Sequence, residues 1–427
     1  MKSTILTSHG RFLASALLAV LVATLAREVA AQPWPFDRVL QSALLSHPAI
    51  ENRRSAQAAA RAELDGAQWQ RFPSLSVEAA AANSGASSGV VRIEQLLWTG
   101  GRINATIDAA GTRVAASGAA LDEERLAIAL RVIAAYTEAM RQQARQKDAR
   151  AGVTEHEKLL ALIRRRVDRE VSTLTDQSLA ESRMLQAMNE ESAATQGLIG
   201  SLAQLTQLAG APVAATSELE MALPPNSMAD VIAQALAYSP LLRRLGHDEA
   251  TAEAEIALRR AAYMPQLALR LERNIGTQYI GARPNETRAM LVLQAQPGAG
   301  LSAMSAVNAS IARREAVRLA REAAERDIRE RVMLDWNESL SARQRLTNAR
   351  RSREMSSAVF DSYTRQYVIG RKTWNDVLNA VREATQSQFA LEDTHAQAIA
   401  AALRLGAQTG TLTPLQQSSP LSSPVSR

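Results

Sequence analysis

The chain has 427 residues, of which 46% are hydrophobic but only 4% aromatic, and Ala and Leu dominate the apolar content, which favours slender, closely packed helices over a thick globular core. Cys is absent, which excludes a disulfide framework, a thiol nucleophile, a Cys-based metal site and a lipoprotein acylation site, and the five His stand too far apart to pair as metal ligands. The formal charge of +6 comes largely from Arg runs such as Arg164-Arg165-Arg166 and Arg350-Arg351; these lie in helical patterns with Glu and Asp nearby and no interleaved aromatics, so they read as solvated helix faces and not as a nucleic-acid patch.

In chain order, Lys2 and Arg11 precede an apolar run from Phe12 to Ala26, and Val29-Ala30-Ala31 offers small residues before Gln32. The pattern predicts a Sec signal peptide over 1–31, because the run is shorter than the roughly 20 apolar residues of a spanning helix. A short helix from Phe36 to Leu45 leads to Ser46-His47-Pro48, and Ala49 to Arg71 reads as a second, Ala-rich helix ended by Pro73. From Ser74 to Asn83 the residues alternate, with Leu75, Val77, Ala79 and Ala81 opposed to Ser76 and Glu78. The stretch Ser84-Gly85-Ala86-Ser87-Ser88-Gly89 reads as a turn, after which Val91, Ile93 and Leu97 oppose Arg92 and Glu94, so a hairpin over about 74–98 is expected. Arg102 to Arg166 is continuous helix, Val167 to Thr173 a break, and Leu174 to Leu208 helix again. A helix of roughly 60 residues is about 90 Å long, too long for one compact domain.

After a Pro-containing linker at 209–227 the pattern returns. Ser239-Pro240 and Met264-Pro265 each stand 192 positions after Pro48 and Pro73. Leu267, Leu269 and Leu271 oppose Arg270, Glu272 and Asn274; then Leu291, Leu293 and Ala295 oppose Gln294 and Gln296, a second hairpin over about 266–296. Ser302 to Tyr367 is helix, with Ile328, Val332, Trp336 and Leu340 at four-residue spacing; Ile369 to Thr373 breaks it and Trp374 to Leu405 follows. An internal repeat, 32–208 and 228–409, thus sets the architecture: two long helical hairpins, each with a short β-hairpin, followed by a disordered Ser/Pro-rich tail at 410–427.

The strands are about as long as a tilted bilayer-crossing strand, but four cannot close a barrel and lipid tolerates no open sheet edge, so several copies of the chain must contribute. A soluble sheet with a helix over its aliphatic face is the competing expectation. No nucleophile, metal cluster or phosphate loop suggests an enzyme or a cofactor.

Leu97-Trp98-Thr99-Gly100-Gly101-Arg102, after a strand and opening a long helix, resembles the strand-to-helix junction of the TolC family of outer-membrane efflux and secretion channels. The segment Tyr367 to Ala380 is similar to that family's second helical-hairpin tip, and Val167 to Ala180 matches it 200 positions earlier, with Thr173 on Thr373 and Asp176 on Asp376. The resemblance covers the whole mature chain. It implies a homotrimer in the outer membrane: a mainly α fold whose four strands per protomer close a twelve-stranded barrel, continued by an α-helical tunnel across the periplasm. Trp98, Gly100, Gly101 and Arg102 would form the junction, with Gly298 and Gly300 as its second copy. Glu78, Arg92, Glu94, Arg270 and Glu272, with Ser76, Asn274, Gln294 and Gln296, would face the pore.

The resemblance also implies a periplasmic gate. Tyr367 and Lys372 resemble its restraining residues, Thr175 and Asp176 their first-hairpin partners, and Asp376 an acidic constriction; Asn379 stands where a second acid is common. Asp376 and Asp176 also suit helix capping, and the two roles are compatible. Val167, Glu170, Val171, Ile369 and Gly370 would form the tips gripped by a periplasmic adaptor, itself joined to an inner-membrane transporter of RND or ABC type; Glu170 departs from the Gly often found there. The function implied is a passive exit duct for drug efflux or for one-step protein export. A periplasmic coiled-coil scaffold without a pore is the alternative.

Overall fold

The computed structural model describes residues 33–81, 87–214, 216, 219, 227–276, 286–295, 302–412 and 415. The expected signal peptide, Gly298, Gly300, Gln296 and most of the tail therefore lie outside the described residues. The fold is mainly helical with one small sheet. In order come α1 (Phe36–Ser46), α2 (Pro48–Trp69), β1 (Ser74–Ala81), β2 (Ser87–Trp98), α3 (Arg102–Val167) and α4 (Leu174–Ala209), then α5 (Met228–Tyr238), α6 (Pro240–Ala261), β3 (Gln266–Gly276), β4 (Thr287–Gln294), α7 (Ser302–Val368) and α8 (Trp374–Thr409). No described helix is long and apolar enough to cross a membrane.

The repeated prolines open helices. Pro48 and Pro240 occupy first-turn positions of α2 and α6, where a missing N–H costs nothing, and the preceding residues cap them: His47 Nδ1 accepts from the Ala49 N–H and Ser239 Oγ from the Leu242 N–H. Pro73 and Pro265 stand directly before β1 and β3, the two strands that open the hairpins.

The strands form one antiparallel sheet in the order β1-β2-β3-β4, so both copies of the repeat meet at the β2–β3 seam. One detail differs from the expected turn at Ser84–Gly89. Ser87, Ser88 and Gly89 belong to β2 and pair with Ala81, Ala80 and Ala79. Small residues oppose small residues there, so β2 begins earlier than the alternation predicts.

The chain divides into two compact units that cut across the repeat. One takes Ala129–Leu223 and Glu338–Leu403 together with the stretch up to Ser46; the other takes His47–Ile128, Pro224–Asn337 and the residues from Arg404 on. In the first, α1 is pinned by the Phe36–Tyr136 edge-to-face contact at 5.5 Å, by the Tyr136 hydroxyl donating to the Trp34 carbonyl at 2.9 Å, and by Ser42 Oγ donating to the Ala209 carbonyl at 2.7 Å. In the second, Val231 and Ala235 of α5 pack with Val332 and Trp336 of α7 and Leu405 of α8, while Arg404 and Gln408 both bond Asp335. Gly410 ends α8 in the left-handed region, and Leu415 beyond it is buried.

Candidate functional site

Within the second unit, the sheet separates its side chains by face. Register places Ser76, Arg92, Glu272 and Arg288 in one rung and Ser74, Glu94 and Arg270 in the next, all on the same side. Arg270 binds Glu94 through two nitrogens at 2.7 and 2.8 Å, and Arg92 lies 3.7 Å from Glu272. Each such partly exposed cross-strand pair contributes about 0.2–1 kcal/mol. Asn274 and Glu78 fall on this face too, opposite Val90. The opposite face carries Leu75, Val77, Ile93, Leu269, Leu271, Ile275, Leu291 and Leu293, all exposed, with Leu75 at 68% and Leu293 at 71%. The competing expectation of a helix over the aliphatic face is therefore not met. The outer edges of β1 and β4 are unpaired within the sheet.

At the foot of β2 the register slips between Leu96 and Trp98, and the chain turns into α3 through two left-handed glycines, Gly100 at φ 60° and Gly101 at φ 90°. They differ in kind. A Cβ on Gly100 would stand 2.4 Å from Met264 Cβ, whereas one on Gly101 would meet nothing within 4 Å. Arg102 begins the helix, its N–H donating to the Thr99 carbonyl at 3.1 Å, and Trp98 is half exposed beside the turn.

Within the first unit, both helical hairpins turn by the same device. At the end of α3 the Val171 N–H donates to the Arg166 carbonyl and the Glu170 N–H to that of Val167; at the end of α7 Arg371 bonds Gln366 and Gly370 bonds Tyr367 in the same way. This motif needs a left-handed residue, and it is Gly370 at φ 74° in one tip but Glu170 at φ 59° in the other. The next helices start with matching caps. Thr173 Oγ1 accepts from the Asp176 N–H and the Asp176 carboxylate accepts from the Thr173 N–H; Thr373 and Asp376 repeat both bonds. The Thr373 backbone bond, then its hydroxyl, then the Lys372 charge hold the Asp376 carboxyl below its ordinary range.

Between the tips lies an aromatic cluster. Trp374 stacks on Tyr367 with centroids 5.1 Å apart, and both are buried with Ile163, Ala180, Val377, Leu378 and Val381. Each large apolar side chain buried there contributes about 1.5–3 kcal/mol. Among the described residues of the one copy, Tyr367 and Lys372 meet partners other than the Thr175 and Asp176 side chains. Tyr367 meets Ser172, hydroxyl to hydroxyl at 3.4 Å, with the Arg166 guanidinium over its ring at 4.7 Å; Lys372 lies over the Tyr363 ring at 4.1 Å. Asp176 is reached through its backbone, the Trp374 indole N–H donating to its carbonyl at 3.0 Å. Thr175 and Asn379 are exposed, as are Val171, Val368 and Ile369, while Val167 is half-buried. Ser172, Arg166 and Trp374 escaped the sequence reading because their partners lie about 200 residues away.

Residues 39–211 match the outer membrane efflux protein family. The matched stretch is less than half of the chain. The fold agrees over most of the chain's length with solved structures at low identity. A membrane protein from Pseudomonas aeruginosa superposes with a TM-score of 0.77 at 20% identity, covering 88% of this chain and 90% of that one. The outer membrane protein VceC of Vibrio cholerae gives 0.76 at 16%, covering 88% and 96%. The MtrE outer membrane channel of Neisseria gonorrhoeae, in its open state, gives 0.73 at 17%, covering 88% of each. No curated protein matches the chain in sequence.

Proposed function

We propose that the chain is an outer membrane efflux protein, three copies of which close a twelve-stranded barrel in the outer membrane and act as a passive exit duct. One observation carries the reading. The sheet exposes a largely aliphatic face, carries all but one of its charges on the other, and leaves two edges open. Lipid covers the first at no cost, water solvates the second, and β1 of one copy against β4 of the next satisfies the third. A coiled-coil scaffold in water would have to expose the same aliphatic residues to solvent.

The tips of α3–α4 and α7–α8 serve as the periplasmic gate in this proposal. Asp376, beside the Tyr367–Trp374 cluster, forms a ring of three carboxylates about the axis, with Asn379 neutral behind it. The exposed Val171, Val368 and Ile369 suit contact with an adaptor, and energy comes from an inner-membrane transporter; the protein makes and breaks no bond. Efflux of small molecules is preferred to protein export because the family model that residues 39–211 match is one of efflux proteins.

The test is electrophoresis of outer-membrane extracts, followed by single-channel recording in planar bilayers. A heat-labile trimer that conducts supports the barrel; purely soluble monomer or dimer without conductance rejects it. Asp376→Ala should weaken cation block, and an unchanged current–voltage relation would reject the gate assignment.

A further inference from the structure

The aliphatic face carries one charged residue. Along the rung Val77, Val91, Arg273, Thr287, the third position is an arginine, and it is exposed. Every other charged residue of the described strands, Glu78, Arg92, Glu94, Arg270, Glu272 and Arg288, lies on the polar face. Arg273 makes no ion pair or side-chain hydrogen bond among the described residues, so its charge is not there to balance a neighbour.

Its height matters. Leu267 pairs with Trp98 at the junction end of the sheet, and Arg273 lies six residues further along β3. Six residues at about 3.4 Å span about 20 Å, or roughly 15 Å of height for a strand tilted by about 40°. Exposed aromatics sit at the opposite end: Trp98, with Trp69 and Phe72 in contact at 5.1 Å and Tyr263 nearby in sequence to β3. Such rings mark a membrane–water boundary. With an apolar band about 25 Å tall above them, Arg273 enters its upper half. An arginine side chain is long enough to reach from that depth towards the far boundary, where the cost of a lipid-facing arginine falls from about 2–4 kcal/mol at mid-depth to about 0–1.

We infer that Arg273 binds the phosphate of an outer-leaflet glycolipid, one per protomer, fixing the depth of the sheet in the membrane. The inference rests on the barrel reading above. A guanidinium presents a planar fork that matches two phosphate oxygens, and the apolar neighbours Val77, Val91, Leu271 and Ile275 suit the acyl chains of the same molecule.

The experiment is native mass spectrometry of the full-length protein purified in non-ionic detergent, titrated with bis-phosphorylated lipid A or with its dephosphorylated form. Wild type should retain the phosphorylated lipid at up to one per protomer and the dephosphorylated form about tenfold less or weaker. Arg273→Gln should remove that preference, and Arg273→Lys should keep part of it. Equal retention of the two lipids by wild type, or an undiminished preference in Arg273→Gln, would overturn the inference. The comparison of lipids on wild type needs no variant to fold. Absence of a conducting trimer would instead reject the barrel reading, and a conducting trimer indifferent to phosphate would reject this inference alone.

Discussion

Replacing Gly100 by Ala should damage the strand-to-helix junction far more than replacing Gly101, although both glycines are left-handed. A left-handed alanine costs about 1–2 kcal/mol, and that cost applies at both positions. Only Gly100 faces a second difficulty. Its new methyl would stand 2.4 Å from Met264 Cβ and 3.0 Å from Cγ, atoms held close to the backbone before β3. Relief requires the two chains to separate, and crowding of this sort costs about 1–3 kcal/mol. Gly100→Ala is therefore expected to cost about 2–5 kcal/mol and Gly101→Ala about 1–2, read as the midpoint of thermal dissociation and unfolding of the detergent-solubilised protein. Because the clash involves Cβ, Met264→Ala should not rescue Gly100→Ala, whereas Met264→Gly should recover most of the crowding cost. Equal destabilisation by the two alanines, or rescue by Met264→Ala, would refute the account.

Trp374→Phe keeps a ring on Tyr367 but loses the indole bond to the Asp176 carbonyl, so hydrogen exchange over 174–180 should accelerate by an amount equal to about 1 kcal/mol; Trp374→Ala should cost about 3–5 kcal/mol and expose the tips to protease. Glu170→Gly should stabilise the first tip by about 1 kcal/mol, since glycine adopts φ 59° without steric cost, and Gly370→Ala should destabilise the second by a similar amount, both measured by amide exchange over the turns. Acid should loosen the second tip. The Asp376 carboxyl is held low by the Thr373 N–H, so its contribution is present above the ordinary carboxylate range and lost as pH falls through its lowered value. Protection factors at 373–377, taken against intrinsic exchange at each pH, should thus be flat above about pH 5 and fall below about pH 4, and Asp376→Asn should remove most of that change.

The helices were legible because their ends are written locally. Thr173 and Thr373, each followed three residues on by an aspartate, announce α4 and α8, and Pro73 and Pro265 announce the strands. Face assignments in β2 and β3 followed from strict alternation, which fixes register once Arg92 and Glu272 are opposed. What alternation cannot encode is a close approach between distant segments. Gly100 was placed at the strand-to-helix junction, but the Met264 side chain pressing on it belongs to the other copy of the repeat. Tyr367 was identified as a restraining residue, yet Ser172 and Arg166 are its partners, because hydroxyl and guanidinium contacts depend on how two hairpins pack and not on either one's sequence. At Glu170 the sign was indirect: Gly370, 200 positions on, marks a left-handed position that a glutamate does not announce by itself.

Each compact unit borrows segments from both copies of the repeat, and the sheet's central seam, β2 against β3, joins one copy to the other. A polypeptide arrested after Ala209 would have completed neither unit and would hold only a lone two-stranded ribbon with its oily side bare. Duplication has here produced halves that no longer stand alone: separately expressed fragments should be degraded or aggregate, and only a chain made to its second set of helices has anything stable to become.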